Sequence, residues 1–310
     1  MIDGLRRTTV RVGPVLIVIA ASLWAFDGVI RRSLFALPPV IIVFYEHLIG
    51  TAILAPIVVP RLKRSLLTRR VVSLVITVSL LSGLLGTLAF TSALAQVNFI
   101  AFSVVLLLQK LQPLFAIASA RVFLKEKIFP SYAGWAVLAL GAAFLVTFPG
   151  GTINLDSGGG TAAAALLALG AAAVWGVSTS FSKMLLNEVT HTQATGLRFM
   201  TTTVMALAAV AVFGQTSQLA ALELSQFARL GIIALSTGMV ALWIYYRGLQ
   251  QTRAQVSTIL ELTFPLLAVV IDATVFKVFL APSQLLAAAA LVFAMYQVAR
   301  LNQVHNRGGG

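Results

Sequence analysis

The stretch VVLLLQKLQPLFA, Val104 to Ala116, is apolar except for Gln109, Lys110 and Gln112, which crowd against Pro113. Proline at position i removes the hydrogen bond to the carbonyl of residue i−4 and clashes with it; for Pro113 that residue is Gln109. The stretch TILELTFPLLAV, Thr258 to Val269, repeats the device, with Pro265 freeing the carbonyl of Glu261. A carbonyl freed in lipid is tolerated only against protein or a water-filled cavity. Both breaks are therefore expected to face the interior of a helix bundle near the bilayer midplane, where carriers hold their substrates. A packing kink is the plainer account of either proline alone; a matched pair, each with a polar residue four positions earlier, favours a cavity.

Lys110 is the costliest of these residues, about 2.5–3.5 kcal/mol at the centre of a span even on the lenient insertion scale. It needs a carboxylate, carbonyls or water, and Glu46 and Glu261 are its candidate partners, in a structural ion pair or in a substrate or proton role. Tyr45, Glu46 and His47 fall together in one apolar run, where His47 is either titratable or a neutral hydrogen-bonded link between helices. Arg198 either snorkels to the interface or offers its guanidinium fork to an anionic substrate group. Trp24, Trp175 and Tyr45 are candidate cavity walls, and Tyr245 is a further candidate substrate contact. Asp27 and Arg31, one helical turn apart, read as an i,i+4 pair near the outer interface.

These residues must be positioned by membrane helices. The chain is 59% hydrophobic and 10% charged, with a mean hydropathy of +0.97, far from the soluble balance. Runs of roughly 20 apolar residues, the length of a span, are expected at 14–35, 39–60, 71–92, 98–122, 130–148, 161–186, 191–213, 227–249, 254–276 and 281–302, ten in all. The first run is too long for the apolar region of a signal peptide and is read as a retained span. The net charge of +13 is spread over span ends, which argues for membrane topology and against nucleic acid. With both termini inside, most Lys and Arg fall on the cytoplasmic side and only Arg31, Arg32, Arg229 and Lys277 outside, the bias expected of an inner-membrane protein.

There is no cysteine, no GxxxxGK[ST] and no HExxH, so neither nucleotide hydrolysis nor a zinc centre is indicated. No cofactor, metal or catalytic residue is expected, and an intramembrane enzyme is the remote alternative. The partners expected are a small molecule and the lipid bilayer, with the chain a monomer or a weak dimer. Gly134, Gly141 and the run AAAALLALGAAAVWG are read as small-residue stripes that let helices approach closely.

FPGGTINLDSGGG, Phe148 to Gly160, divides the chain into residues 1–148 and 161–310, with 149–160 as linker. SLWAFDG around Trp24 matches AVWGVST around Trp175 at an offset of 151, which also pairs His47 with Arg198, while Pro113 and Pro265 correspond at 152. Five spans per half is an odd number, so the halves are expected to be inverted repeats.

Those motifs in that order, with LRFM in span seven, LQPLFA and ELTFPLLAV in spans four and nine, and VFLKEK after span four, resemble the EamA-type carriers of the drug/metabolite transporter superfamily, most closely the YddG group of amino-acid exporters. The resemblance implies an all-α basket of ten helices, two inverted five-helix repeats around a central cavity, with the fifth helix of each half to one side and alternating access by rocking. It maps the helix breaks to Pro113 and Pro265 and a glutamate after span four to Glu126, whose second-half counterpart is Val278. The expected substrate is an amino acid, aromatic ones included, or a similar small metabolite, contacted by Gln109, Lys110, Gln112 and Glu261. A lipid-linked sugar flippase of the same superfamily is the alternative.

Overall fold

A computed structural model describes residues 12–96, 108–109, 111–147, 151, 161–274 and 281–307. Among them there is no strand. The helices are α1 (Val12–Arg32), α2 (Pro39–Val58), α3 (Arg69–Gln96), α4 (Gln112–Phe123), α5 (Pro130–Thr147), α6 (Thr161–Leu186), α7 (His191–Val212), α8 (Leu224–Gln251), α9 (Ala254–Leu260), α10 (Thr263–Thr274) and α11 (Pro282–Arg307). Six are long and apolar enough to cross a membrane by length and composition, and three shorter apolar stretches accompany them. Side chains such as Leu166, Val212, Leu224 and Leu286 are more than two-thirds exposed, an exterior that only a bilayer covers at low cost. The protein is a multi-pass membrane protein.

Local sequence explains where the helices start and stop. Thr68 accepts from the Val71 N–H to open α3, and Thr190 with Gln193 forms a capping box on α7. Gly214, at φ +66°, closes α7: its own N–H reaches the Ala211 carbonyl, and the Gln215 N–H reaches Val210, the left-handed ending that glycine takes without steric cost. Lys125 adopts the same conformation without being glycine, at φ 54°, and the Glu126 N–H reaches back to the Ala120 carbonyl. That turn aims Glu126 at the other half of the chain. Its carboxylate accepts from the N–H groups of Ala254 and Gln255 at 2.9 and 3.1 Å, capping the start of α9.

The densest packing runs between the two halves of the sequence. α1 lies on α8, α2 on α7, α4 on α6 and α5 on α11. Thr51 of α2 and Thr203 of α7, 152 positions apart, meet hydroxyl to hydroxyl at 2.8 Å. α3 and α8 each contain a π-helical segment, Ser79–Gly86 and Ala234–Gly238. Such wide turns free carbonyls and recur at functional positions. Nothing in the sequence pattern announced them.

The small-residue stripes divide. Ala164, Ala168, Ala171 and Ala172 of α6 are fully buried, as expected of close helix contact. Gly134, Gly141 and Gly170 have open space where a Cβ would project, so they bring no helix close. Gly176, at the end of the same run, does bring α4 close: a Cβ there would meet the Gln112 carbonyl and the Ala116 nitrogen. Outside the stripes, Gly83 approaches Thr202 and Gly86 the Trp175 indole, where a Cβ would clash. The linker FPGGTINLDSGGG lies, except for Gly151, outside the described residues.

Candidate functional site

One cavity of about 210 Å³ opens between the halves. On α1 its wall is Trp24, Asp27, Gly28 and Arg31; on α6 it is Trp175, Ser178, Thr179 and Ser182. Both sets have the i, i+3, i+4, i+7 spacing of one helical face, and every member of the first corresponds to one of the second at the offset of 151. α2 adds Glu46 and His47, α3 adds Ser82, Thr87 and Phe90, and α8 adds Thr237, Tyr245 and Tyr246. The breaks supply Gln109, Gln112, Pro113, Glu261 and Pro265, while α7 supplies Arg198 and Phe199. No lining residue comes from α5 or α11.

The two repeat-related tryptophans are each backed by a second ring. Trp24 packs on Tyr245 with centroids 5.2 Å apart, and Trp175 on Phe90 at 5.3 Å. Trp175 is also fixed in azimuth, because its indole N–H donates to the Ser82 carbonyl at 3.1 Å. That carbonyl lies in the π segment of α3, and it accepts from the Thr87 hydroxyl as well.

At the second break the backbone behaves differently from the sequence expectation. α9 ends at Leu260 and α10 begins at Thr263, so the chain does break where Pro265 requires. The carbonyl of Glu261 is not left to the cavity, however; it accepts from the Phe264 N–H at 3.0 Å in a tighter turn. What the break delivers to the cavity is the side chain. Glu261 Oε1 accepts from the Tyr245 hydroxyl at 2.8 Å and from Ser257 at 3.3 Å, and Oε2 from the Gln112 amide at 3.0 Å.

A second polar cluster joins α1, α2, α3 and α8. Arg31 donates to Asp27 from Nε at 2.7 Å and from Nη2 at 3.1 Å, to Glu46 Oε2 at 3.0 Å and to the Thr91 hydroxyl at 3.3 Å. Thr237 donates to Asp27 Oδ1 at 2.6 Å. Asp27 and Arg31 do pair at i,i+4, but Arg31 is only 3% exposed, so the pair belongs to the cavity wall and not to a wet interface. Glu46, read as a partner for Lys110, is engaged by Arg31. Lys110 lies outside the described residues.

Arg198 is buried and does not snorkel; Nη1 donates to the Tyr246 hydroxyl at 3.1 Å, which is also bonded to Ser182. A carbonyl only accepts, so His47 Nδ1, 2.8 Å from the Val43 carbonyl, carries the hydrogen. Its ring packs on Phe199 at 4.9 Å. Tyr45 does not line the cavity. Its hydroxyl donates to the Leu219 carbonyl at 2.6 Å, and its ring meets Phe44 and Phe227 in an outer cluster.

The cavity is short of hydrogen-bond partners. Among the described residues six buried side-chain polar atoms lack one, and four of these line it: Gln109 Oε1, Ser178 Oγ, Arg198 Nε and Thr258 Oγ1. Native interiors leave few such atoms, so a wall that gathers four is suited to a polar occupant. Among the described residues its charges nearly compensate: Arg31 and Arg198 stand against Asp27, Glu46 and Glu261.

A cavity between helix breaks, walled by paired aromatics and lined with unpartnered polar atoms, has the features expected of a carrier's substrate site. The sequence matches the EamA-like transporter family over residues 11–148 and again over 162–300, and the chain belongs to that family. It is 34% identical over 295 residues to the riboflavin transporter ImpX of Fusobacterium nucleatum subsp. nucleatum (strain ATCC 23726 / VPI 4351), covering 94% of this chain and 98% of that relative. A solved crystal structure superposes with a TM-score of 0.72 at 17% identity, over 94% of this chain and 98% of the other, a likeness of fold alone.

Proposed function

We propose that the protein is a secondary carrier of riboflavin or a closely similar planar heteroaromatic metabolite, moved by alternating access through the central cavity. The observation that carries this reading is the pair of repeat-related tryptophans, each backed by a second ring, on the walls of one cavity that also holds unpartnered polar atoms. Flat aromatic walls suit a flat ring system, and near-compensation of the wall charges suits a solute without large net charge. The full-length likeness to a riboflavin transporter supports the same choice over the amino-acid cargo that the sequence motifs suggest. In this reading ten spans form two inverted halves joined by residues 149–160, in a bacterial inner membrane with both termini cytoplasmic.

A second reading keeps a zwitterionic amino acid, favoured by one feature: Arg198, with its free Nε, and Glu261 place opposite charges in the same cavity. Flavin fluorescence separates the two. Purified protein is expected to quench riboflavin saturably, because stacking on an indole quenches the flavin, and excess tryptophan or phenylalanine should not reverse it. Quenching abolished by amino acids would favour the second reading.

A further inference from the structure

Gln109 and Gln112, three positions apart beside Pro113, and Glu261 at the second break all line the cavity, and the Gln112 amide meets the Glu261 carboxylate directly. Their hydrogen bonds are incompletely used. Gln109 Oε1 is buried with no partner. Among the described residues Glu261 receives only neutral donors, from Tyr245, Ser257 and Gln112, with two on Oε1 and one on Oε2, which leaves Oε2 room to accept again. The wall therefore offers acceptors that need an N–H, Gln109 Oε1 and Glu261 Oε2, beside a Gln112 amide whose nitrogen carries a second N–H able to donate to a carbonyl.

Few functional groups meet both demands. An ammonium group has donors only and would leave the amide N–H groups idle; a carboxylate has acceptors only and would face Glu261. A cyclic imide, an N–H flanked by two carbonyls, supplies both kinds in one plane. We infer that Gln109, Gln112 and Glu261 read the imide edge of the substrate, while the paired aromatics of Trp24 and Trp175 hold its ring faces. This inference rests on the flavin reading above, because the pyrimidinedione edge of riboflavin is such an imide. It makes that edge, and not the ribityl chain, the main determinant of specificity.

The test compares riboflavin with N3-methylriboflavin on the unaltered protein, by fluorescence titration of detergent-purified material shown to be folded. Methylation removes the N–H and leaves the ring system and the chain in place. A site that hydrogen-bonds an N–H rejects the analogue lacking it, so the methyl compound is expected to bind at least about tenfold more weakly. In Gln109→Met and Glu261→Gln proteins the ratio is expected to shrink toward one, through weaker binding of riboflavin and not through tighter binding of the analogue. Equal binding of both compounds to the unaltered protein would overturn the edge assignment and leave the flavin carrier standing. Absence of binding by either compound would overturn both.

Discussion

Gln112 and Glu261 join the two helix breaks directly: the amide beside Pro113 in one half donates at 3.0 Å to the carboxylate four residues before Pro265 in the other. Each break thereby holds its counterpart through a side chain, and a substrate bound beside them touches both halves at once. In the proposed alternating-access cycle, rocking between the halves would have to stretch or remake this contact.

Gln112→Leu removes the amide and leaves Glu261 Oε2 without that donor, at a cost of about 1–3 kcal/mol for a buried acceptor. Transport is expected to fall about tenfold or more while the protein still purifies as a monodisperse species. The check is initial uptake rate at matched protein content. Unchanged uptake would remove the contact from the transport cycle.

Arg31 is the one cation in direct contact with Asp27 and Glu46 among the described residues. Arg31→Met strands two carboxylates in a buried wall, and breaking such a pair costs about 3–5 kcal/mol. A large drop in thermal midpoint is expected in detergent. Adding Asp27→Asn and Glu46→Gln to the same protein should recover part of it, since the stranded charges then disappear. If the single substitution leaves the midpoint unchanged, the cluster does not hold α1 to α2.

Gly86→Val should displace the Trp175 indole from its wall, weakening flavin binding and lowering stability in the manner of overpacking, about 1–3 kcal/mol. Gly134→Ala, in a helix where the added methyl meets nothing, should stabilise slightly through helix propensity. The contrast is read from thermal midpoints of the two purified proteins. Equal effects would mean that the Gly86 approach is not tight.

Trp24→Ala and Trp175→Ala each delete one of the matched walls. Aromatic pairs contribute about 0.5–1.5 kcal/mol beyond the area they bury, so each change should weaken riboflavin binding several-fold or more. Trp175→Phe keeps a ring against Phe90 but loses the donor to the Ser82 carbonyl, and should be the milder change. Binding titrations on the three proteins decide the order.

Much of the site could be read in the sequence because membrane burial makes polar residues conspicuous. Gln109, Gln112, Glu261, His47 and Arg198 stood out against apolar neighbours, and the offset of 151 singled out Trp24 and Trp175; all of them line the cavity. The same offset also relates Asp27, Gly28 and Arg31 to Ser178, Thr179 and Ser182. That signal was present but obscured, because small hydroxyl residues are ordinary in membrane helices and an i,i+4 ion pair is ordinary at an interface. Tyr45 misled because its neighbours Glu46 and His47 face the cavity, while its own direction on the helix turns it outward to Leu219. The π segments and the tight Gly86 approach depend on which helices meet, which one strand of sequence does not display. The inverted offset predicted that halves would correspond, not that α1 would lie on α8.

The most direct measurement is counterflow in proteoliposomes loaded with unlabelled riboflavin, following entry of labelled riboflavin with no imposed ion gradient. Entry several-fold faster than in protein-free vesicles, suppressed by Trp175→Ala and insensitive to internal amino acids, is the expected result. Folded protein that shows no acceleration with riboflavin, yet accelerates a labelled amino acid against the same amino acid inside, would contradict the flavin reading.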